Sequence, residues 1–129
     1  MKTAVSSPSA PAPVGAYSPA IKVTGASEML FASGQIGLDP KSGELVSGGV
    51  AAEAEVAMKN LEATLAAGGF DLADAVQCTL YLVDMGDFPI VNDIYGRRFE
   101  GTPPSRVTVA VAALPKGARF EISAIATRS

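Results

Sequence analysis

Two charged residues stand out from the runs that hold them. Arg106 opens a stretch of small and β-branched residues that ends at Ala112, and Glu121 lies near the start of a second apolar stretch, Phe120 to Ala126. A guanidinium set into a dry surface needs an anionic partner, and its planar fork matches a carboxylate through two parallel hydrogen bonds. That partner can be internal or a bound ligand. Only a short connection through Leu114-Pro115-Lys116-Gly117 separates the two stretches, so Glu121 is expected beside Arg106. On residue types alone, a structural Arg106–Glu121 pair is the simpler reading.

Other candidates carry weaker signals. Ser33-Gly34-Gln35-Ile36-Gly37 ends a strand-like run with small residues, as a turn or bulge does, or as backbone N–H and C=O groups facing a ligand do. Tyr17 precedes Ser18-Pro19 and fits either an edge strand or the rim of a pocket. Cys78 sits inside an apolar alternation and reads as a small buried hydrophobe rather than a nucleophile. Tyr81 and Tyr95 read as core or interface aromatics.

The composition removes several function classes. The 129 residues include no His, which excludes Ser-His-Asp and Cys-His catalysis and His-based zinc sites. Neither a P-loop nor a GxGxxG occurs, and no cofactor or metal is expected. Ten Lys and Arg stand against thirteen Asp and Glu, a net charge of -3 without basic clusters, so nucleic acid is not an expected partner. A single Cys allows no disulfide within the chain. No apolar run approaches the roughly 18 residues of a membrane span, and Met1 to Pro8 lacks an apolar leader core. The expectation is one cytoplasmic domain that does not engage a membrane.

The elements that must position these residues follow from periodicity. Residues 1–13 are expected as a flexible arm, since 6–13 are small, polar or Pro, with a single domain over 14–129. Ala16–Val23 and Met29–Gln35 look like a strand hairpin, followed by a chain reversal at Asp39-Pro40-Lys41-Ser42-Gly43. Ala54, Met58, Leu61 and Leu65 mark one face of a helix over 50–67, closed by Gly68-Gly69. Ala75–Asp84 alternates as a strand covered on both faces. Asp87 is the expected N-cap of a second helix running to Glu100, with Phe88, Val91, Tyr95 and Phe99 inward. Strands at Arg106–Ala112 and Ala118–Thr127 complete an α+β domain, a mixed sheet with two helices. Two helices cover one sheet face, leaving a face with Thr79, Tyr81, Ala110, Ala112 and Ile125 that is too apolar for water, so self-association is expected.

The chain resembles the reactive-intermediate deaminase family (RidA, or YjgF). The resemblance rests on Gly15-Ala16-Tyr17-Ser18-Pro19-Ala20, Ala32-Ser33-Gly34-Gln35-Ile36, Asp39-Pro40-Lys41-Ser42-Gly43-Glu44 and Asn60-Leu61. It continues through Asp87-Phe88, Val91-Asn92, Tyr95, Pro104-Ser105-Arg106, Leu114-Pro115-Lys116-Gly117 and Glu121 to Ala126. Their joint order is specific, although no single motif is. The resemblance implies a chorismate-mutase-like fold, a homotrimer with clefts between subunits, and hydrolysis of 2-enamine and 2-imine acids to 2-keto acids and ammonia. It implies Arg106 and Glu121 as catalytic residues, and Tyr17, Ser33, Gly34, Arg106 and Thr108 as substrate-binding residues. The implied ligand is a small carboxylate-bearing imine, enamine or keto acid. Thr108 stands where many members carry Cys, so no thiol role is carried over to Cys78. Two alternatives remain beside this reading: a 2-aminomuconate-type deaminase, and a ligand-binding or chaperone-like module without turnover.

Overall fold

A computed structural model describes residues 1–129. Six strands and two α-helices follow in the order β1 (Lys2–Val5), β2 (Ala20–Val23), β3 (Glu28–Gln35), α1 (Gly49–Ala67), β4 (Ala75–Leu82), α2 (Phe88–Gly96), β5 (Ser105–Ala110) and β6 (Phe120–Arg128). The main sheet has the order β3-β6-β4-β5, with β3 and β4 antiparallel to β6 and β5 parallel to β4. A parallel pair needs a long crossover, and α2 lies within the one that joins β4 to β5.

One face of this sheet and both helices form the core. Cys78, Leu80 and Leu82 of β4 and Phe120, Ile122 and Ala126 of β6 are fully enclosed against Ala54, Met58, Leu61 and Leu65 of α1 and Val91 and Tyr95 of α2. Each large aliphatic side chain removed from water contributes about 2 kcal/mol, so these alternating strands hold their register firmly.

Several expectations change. The hairpin between the first two strand-like runs does not form: β2 pairs with β1, and β3 pairs with β6. Part of the segment expected as an arm is therefore strand, because Lys2–Val5 supplies the backbone partners of Ala20–Val23. The second helix stops at Gly96, short of Glu100. Asp87 does precede it, but its side chain caps nothing; both carboxylate oxygens bind the Arg119 guanidinium instead.

The faces of β5 are also reversed from expectation. Its parallel register sets Arg106 beside Cys78 and Thr108 beside Leu80, so these polar side chains share the helix-covered side. Ala110 pairs with Leu82 on that same side, not on the open face. Val107 and Val109 pair with Thr79 and Tyr81 and point outward, where both are exposed. With Phe31 and Met29 of β3, they leave the uncovered side of the sheet rich in large apolar side chains.

Candidate active site

Arg106 reaches from β5 toward α2 and is held among three rings. Its guanidinium carbon lies 5.2 Å from the ring centre of Tyr17, 5.4 Å from Phe88 and 5.3 Å from Tyr95. Ring faces attract a cation without neutralising it. The side-chain oxygen of Asn92 accepts a hydrogen bond from Nη1 at 2.6 Å. The chain's ion pairs engage Arg97, Arg98, Arg119 and Arg128, and none includes Arg106. Burial therefore pulls the Arg106 pKa below the usual guanidinium value, with the neighbouring Tyr95, Tyr17 and Cys78 opposing it. The group remains a cation at neutral pH, with most of its five N–H donors unused.

The local chain explains the cage. Phe88, Asn92 and Tyr95 fall at i, i+4 and i+7 on α2, so they form one helix face turned to β5. Tyr17 comes from the segment before β2, which is tied down where β5 begins: Ser18 donates from its N–H to Pro104 O and from its hydroxyl to Pro103 O. Gly15 completes the approach, since a Cβ there would stand 3.2 Å from Arg106 Nη2. Thr108, two residues further along β5, carries a buried hydroxyl without a hydrogen-bond partner. The Cys78 thiol lies behind the cage, and burial pushes its pKa up to about 11. Burial likewise raises the Tyr95 phenol well above its ordinary value.

Ser33, Gly34 and Glu121 form a second cluster. The β3–β6 register runs from Ala32 opposite Ala124 to Gln35 opposite Ile122, so Ser33 and Gly34 together face one residue across the ladder, a β-bulge. The Glu121 side chain lies directly over that bulge. A Cβ on Gly34 would stand 2.2 Å from Glu121 Oε2, a space only glycine leaves open. The Glu121 carboxylate has no ion-pair partner in the chain.

These two clusters do not meet within one chain. Strand β4 separates β5 from β6, and the pairings of Cys78 with Arg106 and of Tyr81 with Glu121 put the two charged residues on opposite sheet faces. The structural Arg106–Glu121 pair expected from their short connection is absent. A strand's place in a sheet is set by non-local pairing, which the length of a connection does not reveal.

The largest surface hollow, about 510 Å³, contains neither cluster. It lies beside Lys2, Arg97, Arg98 and residues 99–102. Its arginines are already engaged by Glu55, Glu62 and Asp93, so it offers an anion much less than Arg106 does.

The family profile described as Endoribonuclease L-PSP matches residues 7–128. The chain belongs to that family. Among curated relatives, it is 52% identical over 125 residues to Protein DfrA of Myxococcus xanthus, covering 97% of this chain and 95% of that one. It is 48% identical over 128 residues to the 2-iminobutanoate/2-iminopropanoate deaminase of Rattus norvegicus, covering 99% and 91% respectively. Among solved structures, RidA from an Antarctic Psychrobacter matches with a TM-score of 0.75 and 37% identity, covering 98% of this chain and 99% of the other. The resemblance to RidA drawn from the motifs and the mixed α+β fold with two helices both stand. In this L-PSP family member, as in the sequence reading, Arg106 is the residue around which the candidate site is built. The sequence reading does not find Asn92 or the cage formed with Phe88 and Tyr95: their shared helix face is legible in the spacing, but the strand register that turns Arg106 toward it is not.

Proposed function

We propose that this protein is a hydrolytic deaminase of small 2-imine and 2-enamine acids, releasing the 2-keto acid and ammonia. One observation carries the reading: Arg106 is a partly buried cation, caged by rings and a neutral amide, with no carboxylate of its own chain to satisfy it. Such a fork binds a carboxylate in two-point fashion. The names of the imine deaminase relatives, similar over nearly the whole chain, agree with it.

In this reading, the substrate carboxylate docks on Arg106 and the Thr108 hydroxyl supplies a further hydrogen bond. Tyr17 closes the cleft from one side. Water adds to the C=N carbon as the nitrogen gains a proton, giving a carbinolamine that expels ammonia and leaves the C=O bond. Glu121 orients that water and takes its proton, while the bulged backbone at Ser33 and Gly34 holds the substrate nitrogen or the water. Imine hydrolysis is intrinsically easy, so positioning carries most of the acceleration.

A single chain places Arg106 and Glu121 on opposite faces, so the complete site requires a second copy. The open face with Phe31, Tyr81, Val107, Val109 and Ile125 is the surface suited to contact it. A homotrimer, as the RidA resemblance implies, supplies one such cleft at each subunit boundary. The proposed setting is the cytoplasm; no helix is long and apolar enough to cross a membrane.

The test couples a serine or threonine dehydratase to the purified protein and follows imine decay. Faster decay that depends on Arg106 supports the assignment. Unchanged decay in excess protein, or full activity in Arg106→Ala, overturns it.

A further inference from the structure

We infer that Asn92 is a positioning residue for the carboxylate anchor, and that its electrical neutrality, more than its size, keeps Arg106 available to substrate. The inference rests on the deaminase reading and extends it to a residue that never contacts the reacting bond.

The structure supports this in three steps. Asn92 Oδ1 accepts from Arg106 Nη1 at 2.6 Å, the one hydrogen bond the guanidinium makes to the chain. A guanidinium has donors only, so the amide must present its oxygen there, and its –NH₂ group points away. With Nη1 held, the adjoining Nε and Nη2 donors form an edge that donates no hydrogen bond to the chain, and Gly15, lacking a side chain, leaves room beside Nη2. That edge has the geometry for a bidentate carboxylate.

The three surrounding rings complete the logic. Tyr17, Phe88 and Tyr95 restrain the plane of the guanidinium but leave its charge intact. Asn92 adds the missing restraint, rotation within that plane. An aspartate of the same shape would hold the fork as well or better, yet would supply a permanent anion and satisfy the charge that substrate must satisfy. The molecule thus combines a fixed cation with an unneutralised one, which only a neutral acceptor permits.

Substitution separates positioning from mere packing, because stability and affinity should move in opposite directions. In Asn92→Asp the new ion pair is expected to hold or raise Tm. Pyruvate and benzoate affinity should fall by about ten-fold or more, with KM for the imine rising in parallel. Asn92→Ala, which removes the restraint without adding an anion, should lose less affinity than Asn92→Asp while losing more Tm. Calorimetric titration and thermal melting read both quantities on wild type and the two variants. Undiminished binding in Asn92→Asp, or a larger affinity loss in Asn92→Ala than in Asn92→Asp, overturns the inference while the deaminase reading stands. Wild-type protein that binds neither carboxylate overturns that reading, and the role of Asn92 falls with it.

Discussion

The Glu121 carboxylate occupies the space where a Gly34 side chain would begin, with Oε2 only 2.2 Å from the position of the missing Cβ. A bulge in β3 brings that glycine under the acid, so backbone and carboxylate share one small volume. The clashing atom is the far end of a flexible side chain, so an added methyl displaces the acid more readily than it disrupts the sheet. Gly34→Ala should therefore fold, with Tm close to wild type, and lose about 10- to 100-fold in kcat, the usual cost of moving a proton acceptor by an ångström or so. Unchanged kcat would detach Glu121 from the chemistry.

Arg106 illustrates the opposition between stability and function. It is partly desolvated without an anion, an arrangement that costs stability until a ligand arrives. Arg106→Met should leave Tm unchanged or higher and abolish measurable imine hydrolysis. Arg106→Lys keeps the charge but not the fork, and is expected to lose about 30-fold or more in kcat/KM. Activity retained by the lysine variant would show that a point charge suffices.

The open sheet face makes a separate prediction. Phe31 lies on that face in β3, opposite Ile125 and four positions along β6 from Glu121, and Arg106 stands on the other face of the sheet. Phe31→Asp should shift the protein to monomer in sedimentation and remove activity, although Arg106 and Glu121 are untouched. A fully active monomer would refute the shared site.

Cys78 offers a pH test of the core. Its thiol is buried, and its pKa is pushed up to about 11 from an ordinary 9.0. The folded state then keeps a proton that the unfolded chain gives up first, so the stability this thiol contributes is complete below pH 9 and is lost as pH rises toward 11. The loss amounts to at most about 3 kcal/mol. At pH 8 a thiol of that acidity is roughly one-thousandth thiolate, so alkylation should be negligible until the protein unfolds. Rapid labelling of native protein at pH 8 would contradict this burial.

Much of this protein can be read from its sequence alone, because local chemistry acts over a few residues. The helical stripe of Ala54, Met58, Leu61 and Leu65, and the alternation through Cys78, Leu80 and Leu82, each name a buried face without knowledge of the partner. The oddity of Arg106 among small residues likewise needs only its neighbours to be visible. Tertiary structure alone decided which strands pair: β2 took β1 rather than β3, and β6 moved between β3 and β4 rather than beside β5. It also turned β5 over, sending its valines outward and Arg106 inward, because a strand's face follows the register of its neighbour and the valine alternation fits either side. Ladder hydrogen bonds are the same for any sequence, so pairing is chosen by the fit of the whole core, and with it the choice of Asn92 rather than an acid to face the guanidinium.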